Sequence, residues 1–208
     1  MKALRSFLRD SSGASAEEFA LVLPLFLIAI FGTIDVGRYF WAINQVEKAT
    51  QIGARWAVAT DMVASGSGGL NEYSFAISGG IPQGTAVPEA SFPGIYCTGT
   101  SSSASCNCKS GSASYCTVSS AAAFKRLVDR MKLIDSRIDY ANVRVDYDWS
   151  GLGFAGDPNG PDVAPLTTVT VSNVQFRPIT TMLFSANFNL PVLSYTLTME
   201  DGSGTESN

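Results

Sequence analysis

The residues of this 208-residue chain whose type and spacing could do chemistry are few. They are the cysteines 97, 106, 108 and 116, the adjacent carboxylates Glu17 and Glu18 at the head of an apolar run, and the set Asp157, Asn159 and Asp162. Histidine is absent, which removes Ser-His and Cys-His catalysis, His-containing zinc sites and the side chain best suited to proton transfer near neutral pH. No paired catalytic carboxylates, phosphate-binding loop or nucleophile elbow stands out. The expectation is a non-enzyme without a cofactor. Against 18 Asp+Glu stand only 14 Lys+Arg, a net charge of −4, so nucleic acid, which needs a basic patch, is not an expected partner.

All four cysteines fall in residues 61–120, a stretch rich in Gly, Ser, Thr and Ala. A bond from Cys106 to Cys108 across one residue would be strained, which leaves Cys97–Cys106 with Cys108–Cys116, or Cys97–Cys108 with Cys106–Cys116. Eight, one and seven residues intervene, unlike the close ligand pairs of a structural zinc site, so the cysteines are read as disulfide staples on a loop outside the cytoplasm. Asp157, Asn159 and Asp162 lie beside Gly156 and Gly160 and form a weak calcium set. The EF-hand spacing and its final Glu are missing, and a polar turn is expected instead.

These groups need elements to hold them. Phe19 to Ile34 is an uncharged run of sixteen residues between Glu18 and Asp35, slightly short of the ~17–25 of a bilayer span, but with flanking carboxylates that can reach headgroups. Val36, Tyr39, Phe40, Ile43, Val46, Thr50, Gly53 and Ala57 continue at three- and four-residue steps, extending the helix to about residue 60. A helix over 14–60 would be ~70 Å long. Pro24 lies inside it, where the missing N–H and the ring favour a kink. Lys2, Arg5 and Arg9 precede the run, so the positive-inside rule leaves the N-terminus in the cytoplasm and everything after Asp35 outside. The residues leaving the run offer no small-x-small cleavage site, so the span is retained rather than removed as a secretory signal. Asp35 and Arg38, three apart just beyond the run, read as a solvated ion pair.

The small-residue site lies upstream instead. Ser12-Gly13-Ala14-Ser15-Ala16-Glu17-Glu18-Phe19 resembles the prepilin-peptidase site of type IV pilins, in the Flp-type form of tight-adherence (Tad) systems. The segment that follows, ALVLPLFLIAIFGTIDVGRYFWAINQVEKATQIGARWA, is similar to the TadE-like pseudopilins, so the resemblance covers about residues 12–59. It implies cleavage after Gly13 by a membrane aspartic prepilin peptidase. It also implies partners among other Tad/Flp pilins and the inner-membrane assembly platform, and a role in a pilus for adhesion and biofilm formation.

The residues support that logic physically. Gly13 gives a flexible backbone for a protease to thread, and a cut there frees an amine on Ala14. Glu18, four residues on, lies on the same helix face and is favoured in the first turn by the helix dipole. We expect it to pair with the Ala14 amine of its own or a neighbouring subunit beside Phe19, with Glu17 merely solvated. Loss of residues 1–13 would leave eleven basic and seventeen acidic side chains, net −6.

Beyond the loop region, Phe124, Leu127, Val128, Met131 and Ile134 form an amphipathic stripe with Ser119 or Ser120 as its cap. Val143, Val145, Tyr147 and Trp149 alternate with polar residues, as do 193–200; in 166–176 the alternation shifts phase between Val171 and Val174. The expected class is α+β. A long N-terminal transmembrane and amphipathic helix (14–60, span about 19–34) follows a leader (1–13), and a stapled loop region (61–120) leads into a domain (121–208) with a second helix and an antiparallel sheet of three or four strands. The expected location is the inner membrane, single-pass, with the C-terminal domain in the periplasm or, after assembly, on the pilus. Two other functions fit the residues: an uncleaved bitopic scaffold of the Tad system, and a surface binding module using the cysteine loop or the Asp157 region.

Overall fold

A computed structural model describes residues 14–158, 160–182, 188–199 and 202–206. Helix α1 runs Ala14–Ala59, 46 residues, or ~69 Å at 1.5 Å per residue. The helix continues through Pro24. The described chain divides into two compact units. One comprises α1 up to Trp41 with segment 176–188, and the other comprises 42–175 with 189–208.

The larger unit is a helix-on-sheet domain. Its sheet has five strands in the order β2-β1-β3-β4-β7, antiparallel throughout. The strands are β1 (Ile95–Gly99), β2 (Ala104–Cys108), β3 (Val143–Asp148), β4 (Leu166–Val171) and β7 (Leu193–Thr198). Cys97, Val145 and Val169 form one buried row across β1, β3 and β4, as the period-two alternation of a half-buried strand requires. A second, two-stranded sheet joins β5 (Gln175–Phe176) and β6 (Phe188–Asn189). The phase shift after Val171 has a backbone cause: Asn173 takes φ 58°, a left-handed conformation that Asn tolerates and that ends the strand.

The short helix α2 spans Phe75–Ser78, and α3 spans Ala121–Lys132. Ser120 caps α3, its hydroxyl accepting the Ala123 N–H at 3.2 Å, a cap worth ~0.5–2 kcal/mol. Ala123, Phe124, Leu127, Val128 and Met131 are buried; Ile134, read as part of the stripe, lies past the helix end. The C-terminal part of α1 contributes Ala42, Val46, Ala49, Ala54, Ala57 and Val58 to the same core. The small residues allow close approach: a Cβ at Gly53 would lie 2.7 Å from Met131 Sδ.

The expected class is correct, with two changes. The sheet has five strands rather than three or four, and the segment read as a stapled loop supplies two of them. Ile95, Tyr96 and Thr98 suit β1 to a strand, whereas β2, Ala-Ser-Cys-Asn-Cys, has little strand preference and owes its form to pairing with β1. Cys97 and Cys106 are direct partners in the β1–β2 register and are bonded to each other. Cys108 is bonded to Cys116, and these two bonds select one of the two connectivities that spacing left open. Gly99 closes the hairpin where a Cβ would sit 2.4 Å from the Ser103 carbonyl oxygen and 2.8 Å from the Phe124 ring.

Candidate functional site

The first turn of α1 presents Glu17 and Glu18, both exposed, where a carboxylate is favoured by the helix dipole. Gly13 lies outside the described residues. Ala14 is the first helical residue described, placing Glu18 one turn along from it. From Phe19 to Ile34 the helix is apolar on all sides. Phe19, Leu21, Val22, Leu25, Phe26, Leu27, Ile28, Ile30, Phe31 and Ile34 stay between 37% and 77% exposed. Full burial of one such side chain is worth ~1.5–3 kcal/mol, so leaving ten of them in water forgoes on the order of 10 kcal/mol, as much as the whole stability of a typical domain. Such a surface requires lipid or other helices around it. The helix is long and apolar enough to cross a membrane.

Asp35, the first residue beyond the run, is where the structure departs furthest from the solvated ion pair expected of it. Its side chain is only 8% exposed. It accepts the backbone N–H groups of Ile179 at 2.7 Å and Thr180 at 2.8 Å, the Thr180 hydroxyl at 2.9 Å, and the Arg38 guanidinium at 2.9 Å. Burial disfavours the charge, but these four donors outweigh it and hold the carboxyl at a pKa of about 2. Phe176 completes the clamp, its ring 5.4 Å from Tyr39 and 5.5 Å from the Arg38 guanidinium. No pattern in residues 176–182 announces this partner. The only available signal was Asp35 itself, a carboxylate abutting an apolar run, where an unpaired charge is costly.

Of the candidate calcium residues, Asp162 serves a structural end. Asp162, 2% exposed, accepts the Phe75 N–H at 2.5 Å and the Ala76 N–H at 3.4 Å on one oxygen and the Asp157 N–H at 3.2 Å on the other. It thereby holds the start of α2, and Asn159 lies outside the described residues. The stapled region also carries an aromatic cluster in which Tyr115, beside Cys116, packs on Tyr73, Phe75 and Phe92 with centroids 4.3–6.3 Å apart. Tyr147 joins the sheet to the segment after α1. Its hydroxyl accepts the Val63 N–H at 2.8 Å, and burial drives its pKa well above the usual phenol range. Among the described residues no group of three or more Cys, Asp or Glu side chains is placed to hold a metal ion.

Residues 13–55 match the family model described as TadE-like protein. That segment starts at the Gly13 of the small-residue site and covers the apolar run, Asp35 and the first buried turns of α1. No curated protein and no solved structure matches the chain.

Proposed function

We propose that this TadE-like, Tad pilus-associated protein is a minor pilin precursor, trimmed after Gly13 by a prepilin peptidase and built into, or onto the tip of, a Flp-type pilus used for adhesion and biofilm formation. The observation that carries this reading is the conjunction on one helix: a family match that begins at Gly13, exposed Glu18 one turn beyond Ala14, and an apolar surface left open on all sides. A monomer has no use for such a surface outside a bilayer. In the membrane it is solvated by lipid, and in a fibre it is covered by neighbouring helices, so the same stretch serves both states.

Glu18 sets the register. After cleavage the new Ala14 ammonium and the Glu18 carboxylate lie on one helix face, and in a low-dielectric surrounding an ion pair forms in preference to either charge alone. The partner amine belongs to the same chain or to a neighbour in the pilus, and pairing fixes the axial offset of adjacent helices. The C-terminal domain faces the periplasm during assembly.

N-terminal sequencing of the membrane-extracted protein tests the reading. A start at Ala14 agrees with it, whereas an intact Met1 means an uncleaved bitopic scaffold. Sheared pili containing the protein assign it to the fibre, while retention in the membrane fraction alone assigns it to the assembly platform. Glu18→Gln is expected to leave cleavage intact and abolish co-purification with partner pilins; unchanged co-purification would remove the charge-pairing step.

A further inference from the structure

We infer that segment 176–180 is a second membrane contact, a strap that lies in the headgroup layer where α1 leaves the bilayer and presents Arg177 and Ile179 to anionic phospholipid. The inference rests on the membrane span and not on the pilus role.

The depth of the strap follows from geometry. Side chains of an α-helix tilt toward its N-terminus, so the Asp35 carboxylate sits level with the last turn of the apolar run rather than above it. The N–H groups of Ile179 and Thr180 lie 2.7 and 2.8 Å from that carboxylate. Whatever depth the end of the run takes, the strap shares it. The clamp also accounts for an acidic residue at this level, since four donors satisfy the carboxylate without water.

The strap has two faces. Phe176 and Pro178 are buried, whereas Arg177 and Ile179 are exposed, the alternation of an extended segment. Its outward pair is one long cation and one aliphatic chain, the combination that lets a side chain dip below the phosphates while its neighbour's guanidinium reaches them. On α1, five and six residues beyond Asp35 and ~7.5–9 Å further along the axis, Phe40 and Trp41 are 60% and 62% exposed, an aromatic pair on the headgroup side of the span. The occupant is lipid because this surface continues the span without a break. A free-standing protein groove would not carry its apolar residues on across fourteen exposed helix positions.

The test uses the full chain in phosphatidylethanolamine–phosphatidylglycerol vesicles. All four native cysteines are in disulfides, so a single introduced thiol takes a bimane label specifically. Labels are placed at Ile179→Cys, at Ser102→Cys in the exposed β1–β2 turn as a reference, and at Phe26→Cys as a check of insertion. A nitroxide lipid labelled high on its acyl chain should quench position 179 about threefold more than position 102, and aqueous iodide should quench it correspondingly less. Asp35→Ala should bring the two positions together by releasing the strap, and Arg177→Gln should weaken the lipid quenching in anionic vesicles but not in phosphatidylcholine. Should Ile179→Cys fail to fold, Arg177→Cys carries the same label one residue away. If Phe26 is quenched by lipid while 179 behaves like 102 toward both quenchers, the strap proposal is overturned and the span stands. Failure at Phe26 overturns both.

Discussion

Replacing Asp162 by Ala separates a structural carboxylate from a cation ligand. In the native chain this buried side chain accepts three backbone N–H groups, from Phe75, Ala76 and Asp157, and Phe75 is itself 2% exposed. Alanine leaves the Phe75 N–H without its partner and out of reach of water. A hydrogen bond to a charged group is worth ~1.5–3 kcal/mol, and with the longer Asp157 contact the loss comes to about 2–4 kcal/mol. At ~2–4 °C per kcal/mol for a chain of this size, Tm should fall by about 4–16 °C. Asparagine keeps one acceptor oxygen but turns an NH2 toward an N–H, and should cost about half as much. The assay is thermal unfolding of the full chain in detergent, followed by near-ultraviolet circular dichroism with and without millimolar calcium. Two results would refute the reasoning. One is an Asp162→Ala melt indistinguishable from the parent. The other is a calcium-induced rise in Tm of several degrees in the parent that the variant lacks, which would make the Asp157–Asp162 loop a binding site after all.

Tyr147→Phe removes the acceptor for the buried Val63 N–H and should lower the unfolding free energy by about 1–3 kcal/mol, seen as a lower urea midpoint with unchanged slope. The bonds Cys97–Cys106 and Cys108–Cys116 close loops with sequence separations of 9 and 8, so deleting either pair should cost ~2.7 kcal/mol by loop entropy. Peptide mapping without reductant should recover these pairs, and a Cys97–Cys108 peptide would contradict the hairpin register. Asp35 has its carboxyl lowered from 3.8 to about 2, so the clamp it forms is fully present above pH 3.8 and is lost as pH falls through about 2. Hydrogen exchange should find the Ile179 and Thr180 amides still protected at pH 4, and unprotected at any pH in Asp35→Ala.

Much of this molecule is local and was therefore legible in its sequence. Sixteen uncharged residues cannot be hidden by a small domain, so Phe19 to Ile34 announces a span whatever follows. The 3.6-residue period of Phe124, Leu127, Val128 and Met131, and the alternation through Val143, Val145 and Tyr147, set α3 and β3 because burying one face is the only way either segment gains stability. The family match over residues 13–55 falls on this same local stretch, the apolar run and the turns that follow it.

What only the tertiary structure decided involves pairs far apart in the chain. Asp35 meets Thr180 across 145 residues and Asp162 meets Phe75 across 87, and nothing periodic marks either partner, because a backbone N–H carries no sequence identity. The segment Ala-Ser-Cys-Asn-Cys at 104–108 has too little intrinsic preference to declare itself a strand; it becomes one because β1 offers an edge and Cys97 lies opposite Cys106. The choice between two disulfide connectivities was open for the same reason: spacing limits which thiols can meet, and only the register of β1 on β2 brings two of them face to face.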